Sequence, residues 1–167
     1  MADAPDTSSP ASDQPAAPAQ AMINARVVAQ YIKDLSFENP NIAKLLQGPG
    51  DNPNLEIGVE VKTQQMGPNL YESAIEFKAT AVSSKSGTIY DMECVYAGLF
   101  QIENIPPGML EPFLLINCPS LIFPYLRRLV ADLTREGGFP PLALDPIDFG
   151  ALFMRRQQEL AANASKS

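Results

Sequence analysis

Residues 55–84, LEIGVEVKTQQMGPNLYESAIEFKATAVSS, contain two runs in which apolar and polar side chains alternate, separated by MGPN. Successive side chains of a β-strand point to opposite faces, so this alternation indicates strands with one buried face and one wet face. The Gly and Pro between the two runs favour a chain reversal. The stretch therefore predicts two neighbouring antiparallel strands.

The same pattern extends to both sides of this stretch. Upstream, residues 25–38, ARVVAQYIKDLSFE, predict a first strand. Its apolar face would carry Val27, Ala29, Tyr31, Leu35 and Phe37, with Lys33 as the exception. Downstream, after the turn SKSG, residues 88–103 predict a fourth strand that becomes apolar on both faces beyond Cys94. Such a strand is covered on both sides, by its own chain or by another.

The spacing of apolar residues becomes helical after the fourth strand. Residues 106–117 predict a short helix interrupted by Pro112, and residues 118–136 predict a long one that ends at Gly137 and Gly138. Asp145 is predicted to cap a last helix that begins at Pro146. The fold class is therefore α+β, a four-stranded antiparallel sheet with helices packed on one face.

Composition divides the chain into three parts. Residues 1–22, rich in Ala, Pro, Ser and Asp, predict a disordered tail, residues 23–162 a folded domain, and residues 163–167 a disordered end. We find no secretory signal pattern and no apolar stretch near the ~20 residues of a membrane helix. We therefore expect a soluble, cytoplasmic protein without direct membrane insertion.

Charge and missing residue types exclude several functions. The net charge is −7, with −8 on residues 1–111 and +1 on residues 112–167. An acidic front half disfavours nucleic acid as a ligand and favours a basic partner. The sequence has no histidine, which removes Ser–His and Cys–His nucleophile pairs and most transition-metal sites. No glycine-rich phosphate-binding motif is present. We expect no cofactor, no metal and no catalytic residue.

Carboxylates gather on the predicted wet face of the sheet. Asp34 and Glu38 are four residues apart on one strand, and Asp91 and Glu93 are two apart on another, so each pair shares a side. Clustered like charges repel one another, and a basic ligand would relieve that repulsion. A solvated face that keeps the protein soluble is the alternative.

Two further features allow two interpretations each. The apolar loop 137–146, GGFPPLALDP, either closes the core or lines a groove for extended apolar peptides. Cys118 stands at a predicted helix start, where the helix dipole can lower a thiol pKa, or it is an inert packing residue. Cys94, on the apolar face of its strand, is read as a packing residue. Two cysteines fit a reducing compartment.

Three segments together resemble a known family: KDLSFENPN (33–41), AGLFQIENI (97–105) and the block from Asn117 to Phe153 that begins NCPSLIFPYLRRL. They closely resemble SecB, the bacterial protein-export chaperone family, over about residues 24–160. The resemblance implies a cytoplasmic homotetramer, a dimer of dimers. It also implies that the protein holds unfolded precursor proteins without ATP and passes them to the SecA motor.

The resemblance also implies roles for individual residues. The contact with the basic, zinc-carrying tail of SecA falls on Asp34, Glu38 and Glu93, and by position on Asp91, where the family often has an apolar residue. The client groove falls on Leu55, Ile57, Val59, Phe139 and Leu142. Subunit contacts fall on Met92, Cys94 and Tyr96 of the fourth strand and on Pro119 and Tyr125 of the long helix.

Two functions from other classes compete with this interpretation. A small acid–base isomerase would need a carboxylate with a raised pKa inside an apolar pocket. A carrier of small apolar ligands would need one enclosed cavity per chain. A chaperone for unfolded chains needs long open grooves instead.

Overall fold

The computed structural model describes residues 22–47 and 52–165, so the predicted disordered tail lies outside it except for Met22. Its strands are β1 (Asn24–Glu38), β2 (Asn54–Gly67), β3 (Leu70–Ser83) and β4 (Gly87–Glu103). Its helices are α1 (Ile42–Leu45), α2 (Leu110–Pro112), α3 (Cys118–Glu136) and α4 (Phe149–Ala164), with a π-helical segment at Phe113–Asn117. This is the predicted α+β arrangement of four strands followed by helices.

The four strands form one antiparallel sheet in the order β1-β4-β3-β2, so β1 and β2 are its edges. We call the side on which α3 packs the helix face and the opposite side the outer face. The helix face carries the buried side chains of the central strands, among them Ile75, Phe77, Met92, Cys94 and Phe100. The outer face carries the charged residues between them, which confirms the alternation predicted for β3 and β4.

Strand β1 departs from simple alternation. Its register with β4 shifts between Val27 and Ala29 and again between Ile32 and Asp34. Each β-bulge inserts one residue and so exchanges the faces of all residues beyond it. Tyr31 pairs with Ala97 and lies on the outer face, whereas Leu35 pairs with Cys94 on the helix face. The predicted common face for Ala29, Tyr31, Leu35 and Phe37 is therefore wrong.

Helix α3 lies close to the middle of the sheet because Gly98 leaves room for it. A Cβ atom at Gly98 would lie 2.9 Å from Cγ2 of Ile122 and 2.7 Å from Cε2 of Phe100, closer than real Cβ contacts allow. Ile122 and Leu126 of α3 are fully buried against this region. The helix therefore closes the core over β3 and β4.

The predicted break of the first helix at Pro112 is wrong. Pro112 does not interrupt a helix, because it lies in the first turn, where its missing N–H would have no helical partner. The helical residues run continuously from Leu110 to Glu136, 27 residues, long and apolar enough by length and composition to cross a membrane. Of the most apolar window, 44% is buried inside the protein, and the buried residues of α3 include Cys118, Ile122 and Leu126.

The last helix begins later than predicted. Asp148, not Asp145, is the N-cap of α4, and its Oδ1 accepts a hydrogen bond of 2.9 Å from the amide of Ala151. Asp145 and Pro146 lie in the extended segment before it. The helix continues to Ala164, so the predicted boundary between residues 162 and 163 falls inside α4.

Candidate functional site

The structure brings the four predicted partner-binding carboxylates together on the outer face. Glu38 lies directly opposite Asp91 in the β1–β4 pairing, and Glu93 lies opposite Ser36 in the next row. Asp34 lies one row further along β1, opposite Val95. Like charges directly opposite one another in a sheet destabilise it, so a cation bound at this patch would relieve the repulsion.

Three lysines on or beside the outer face are each paired with a glutamate. Lys33 lies 2.7 Å from Glu72, Lys62 lies 2.8 Å from Glu76 and Lys78 lies 2.5 Å from Glu93. Asp91 accepts a 2.7 Å hydrogen bond from the Thr80 hydroxyl. Asp34, Glu38 and Glu60 form no ion pair with any residue that the structure describes. Asp91 and Glu56 of this face likewise form no ion pair with a described residue, so the unpaired negative charge is spread over β1, β2 and β4.

A shallow depression of about 520 Å³ lies next to this patch. Gly58 contributes to it because no side chain fills its position, and a Cβ atom there would meet nothing within 4 Å. The charged residues lining the depression are Asp34, Glu60, Glu76, Lys78 and Glu93. Four of these five charged residues are acidic, and the rest of the lining comes from Gly58, Val59, Phe77, Cys94 and Val95.

Glu72 is the one buried carboxylate among the described residues. It accepts hydrogen bonds from the Tyr31 hydroxyl at 2.5 Å and from Lys33 Nζ at 2.7 Å, which ties the bulged part of β1 to β3. Burial raises the pKa of Glu72, but the hydrogen bonds from Lys33 and Tyr31 and the Lys33 charge together outweigh burial, and the pKa is lowered. Burial, followed by Glu72 itself, raises the pKa of Tyr31 to about 12.

The predicted client-groove residues lie on the helix face at one end of the sheet. Leu55 and Ile57 of edge strand β2 are 37% and 47% exposed, although they point to the same side as the core. They lie opposite the small residues Ala81 and Ala79. The side chains of Leu55 and Ile57 therefore form an apolar surface that the chain's own helices leave uncovered.

The other predicted groove residues are held more firmly. The Phe139 ring packs 5.1 Å from the ring of Tyr90 and 6.5 Å from that of Phe37, so it joins an aromatic cluster beside the groove strand. Leu142 is half-buried, and its amide donates a 2.8 Å hydrogen bond to Thr134 of α3. The loop 137–146 thus closes part of the core and is fixed in position by these contacts.

A depression between β2 and α4, lined by five apolar and four charged residues, was not predicted from sequence. It has a volume of about 370 Å³ and includes Val59 from the predicted groove. Its other apolar lining comes from Val61, Leu115, Leu152 and Phe153. Arg156 of α4 donates a 3.2 Å hydrogen bond to the Val61 carbonyl and fixes the helix beside the edge strand. The three- to four-residue spacing of apolar side chains in α4 was the signal for this contact.

The predicted subunit contacts are unevenly exposed. Met92, Cys94 and Pro119 are almost completely buried within the single chain, so their side chains belong to its own core and not to an outer surface. Tyr96 is half-buried, and Tyr125 is 54% exposed. Leu121 of α3 is likewise 53% exposed, so the outward side of α3 has apolar surface available for contact.

Neither cysteine has the features of a reactive thiol. Burial, with a smaller contribution from Asp34, raises the pKa of Cys94 to about 11. Burial raises the pKa of Cys118 to about 12, which is opposite to the lowering that its place at a helix start suggested. Both thiols are therefore protonated at neutral pH and act as packing residues.

Comparison with known proteins adds the family. A sequence model of the family described as preprotein translocase subunit SecB matches residues 18–160. The protein-export protein SecB of Methylocella silvestris is 47% identical over 149 residues, 89% of this chain and 88% of that protein. That of Maricaulis maris is 44% identical over 167 residues, 100% of this chain and 93% of that protein.

A solved structure confirms the fold. The SecB-like chaperone of Mycobacterium tuberculosis, in complex with a ChAD peptide from the HigA1 antitoxin, superposes with a TM-score of 0.58. It is 16% identical in sequence, and the match covers 74% of this chain and 90% of that chain. The family model and the curated relatives each cover most of the chain, and the chain therefore belongs to the SecB family of protein-export chaperones.

Proposed function

We propose that this export chaperone is an ATP-independent holdase with two separate binding surfaces. Apolar surface on the helix face binds unfolded precursor proteins and keeps them competent for translocation. The acidic outer face binds the SecA motor, to which the precursor is delivered. We further propose that the protein works in the cytoplasm as a homotetramer, a dimer of dimers.

The observation that carries the proposal is the opposite chemistry of the two faces of one sheet. Leu55 and Ile57 are exposed on the helix face, whereas Asp34, Glu38 and Glu93 are on the outer face. A strand exposes alternate residues to opposite sides, so one sheet can carry an apolar and an acidic surface without either disturbing the other. This separation allows a client and a motor to bind at the same time.

The client side favours broad selectivity. An apolar surface makes few fixed polar demands, so it accepts many sequences. Each buried apolar side chain contributes about 1.5–3 kcal/mol, so a long unfolded chain must occupy several such sites to bind tightly. A tetramer multiplies the sites, and each contact raises the effective concentration of the next. A folded protein offers no such segment and is ignored.

The two competing functions have less support in the described residues. An acid–base enzyme requires a buried carboxylate with a raised pKa, but the pKa of the buried Glu72 is lowered. A carrier requires an enclosed cavity, whereas the two depressions described above are open to solvent at the surface. Neither observation depends on the family comparison.

We test the separation of surfaces with the double substitution Asp34→Ala with Glu38→Ala. These side chains form no ion pair with a described residue, so their loss should leave the fold intact. Exposed charge pairs contribute about 0.2–1 kcal/mol each, so the loss of two should weaken SecA binding about two- to thirtyfold. Isothermal calorimetry with SecA, and with a reduced and alkylated unfolded polypeptide, measures both affinities.

A matched control removes two carboxylates elsewhere, Glu111→Ala with Glu136→Ala, both exposed residues of the helical region. This control should bind SecA as the wild type does. Wild-type affinity for SecA should also fall with added salt, because exposed charges are screened. Equal loss of SecA and client binding in the Asp34 and Glu38 variant would contradict the proposal of two separate surfaces.

A further inference from the structure

Lys78 lies among the residues proposed to bind SecA but carries the wrong charge for that role. It stands directly opposite Glu93 in the pairing of β3 with β4. Its Nζ lies 2.5 Å from Glu93 Oε1, and Lys78 lines the depression that Asp34 and Glu60 also line. The hydrogen bond with Glu93, followed by the charges of Glu93 and Asp91, raises the pKa of Lys78, so its ammonium stays charged.

We infer that Lys78 is an internal competitor of the basic partner. It occupies Glu93 in the free protein and must release that carboxylate when an ammonium or guanidinium group of the partner binds there. Lys78 therefore limits the affinity of the outer face for the partner. The inference rests on the proposed function, because it presupposes that Glu93 contacts a basic partner. It adds a residue that sets affinity by opposing the contact.

The exposure of the pair makes displacement possible. The side chains of Lys78 and Glu93 are 55% and 52% exposed, so water screens their attraction and the pair opens at low cost. Opening the pair does not remove the competitor. Lys78 stays near the depression, where its charge repels an incoming cation until it swings away. Both effects act against the partner.

The other two paired lysines of this surface do not have this role. Lys33 is held by the buried Glu72, which is not a predicted contact residue. Lys62 is held by Glu76, which lines the same depression but is not a predicted contact. Of these three lysines, Lys78 alone blocks a carboxylate proposed to bind the partner. Lys62 therefore offers a matched control: same charge, same face, similar side-chain exposure of 59%.

The experiment compares Lys78→Gln with Lys62→Gln in the full-length protein. Each substitution removes one positive charge from the outer face. At about 0.15 M ionic strength, where the Debye length is about 8 Å, Lys78→Gln should bind SecA about two- to fivefold more tightly than the wild type. Lys62→Gln should change the affinity for SecA less than about half as much as Lys78→Gln does. Thermal unfolding followed by circular dichroism should show both variants folded.

A double-mutant cycle with Glu93→Gln decides the mechanism. If Lys78 acts mainly by occupying Glu93, then the gain from Lys78→Gln should fall to less than half in the Glu93→Gln background, where only the charge repulsion is left to relieve. An undiminished gain there, or an equal gain from Lys62→Gln, would show general electrostatics and overturn the inference. Wild-type binding to SecA without any gain from Lys78→Gln would overturn the inference alone. Absence of SecA binding in every variant would overturn the proposed function and the inference with it.

Discussion

At the scale of single residues, Glu72 shows how a charged side chain on a wet face becomes structural. The alternation of β3 points it outward, yet Tyr31 and Lys33 from β1 cover it and satisfy its oxygens. A buried carboxylate is stable only when paired and hydrogen-bonded. Lys33 is the residue inserted at the second bulge of β1 and Tyr31 lies two residues before it, so Glu72 links that bulge to β3.

We predict that Glu72→Gln lowers the free energy of unfolding by about 1–3 kcal/mol, the usual effect of removing one partner from a buried charged hydrogen bond. Because the pKa of Glu72 is lowered in the folded state, its contribution is fully present above the ordinary carboxyl pKa of about 4.3 and is lost as pH falls through the lowered value. The difference between variant and wild type in urea denaturation should therefore shrink at acid pH.

Glu76→Gln is the control for this prediction. Glu76 lies on the same strand and face, but its pair with Lys62 is partly exposed, so its substitution should cost less than about 1 kcal/mol. Equal destabilisation by both substitutions, or a Glu72→Gln effect independent of pH, would contradict the structural role assigned to Glu72.

At the scale of elements, periodicity predicted which segments form strands and helices. It did not predict where a β-bulge exchanges the two faces of a strand. The alternation of β2, β3 and β4 gave their faces correctly, because these strands pair without a bulge over most of their length. In β1 two bulges exchange the faces, and nothing in residues 24–38 identifies Val28 or Lys33 as the inserted residues. A bulge depends on the partner strand, so a single strand's sequence does not encode it.

The start of α4 is a second case, and it yields a prediction. Asp145 and Asp148 both precede apolar helical residues, and both are followed by residues compatible with a first turn. Asp148→Ala should lower the free energy of unfolding by about 0.5–2 kcal/mol, because it removes the hydrogen bond to the Ala151 amide. Asp145→Ala should change it by less than about 0.5 kcal/mol. Chemical denaturation of both variants measures the contrast, and the reverse order would contradict the observed cap.

At the scale of the whole molecule, the single chain leaves apolar surface on the outward side of α3. Leu121 and Tyr125 are exposed there, while Ile122 and Leu126 face the core. In the proposed homotetramer this side of α3 is covered by a second pair of subunits. An isolated chain of 18.1 kDa would leave it in water.

We predict that light scattering of the wild type gives four times the chain mass of 18.1 kDa and that Leu121→Glu lowers it to about half or less. A buried, unpaired carboxylate at a subunit contact is unfavourable, whereas the same substitution does not touch the core of the chain. Met154→Glu on α4, at 57% exposure, is the control and should leave the mass unchanged. A monomeric wild type would contradict the multivalent client binding proposed above.

The sequence by itself determined the α+β class, the order of strands and helices, and the presence of carboxylates on one side of the sheet, because these follow from local periodicity and turn residues. The tertiary structure alone decided that β1 pairs with β4, that Glu38 lies opposite Asp91, and that Lys78 holds Glu93. These are contacts between residues far apart along the chain. Their partners are fixed by how the strands and helices pack together, which no local pattern specifies.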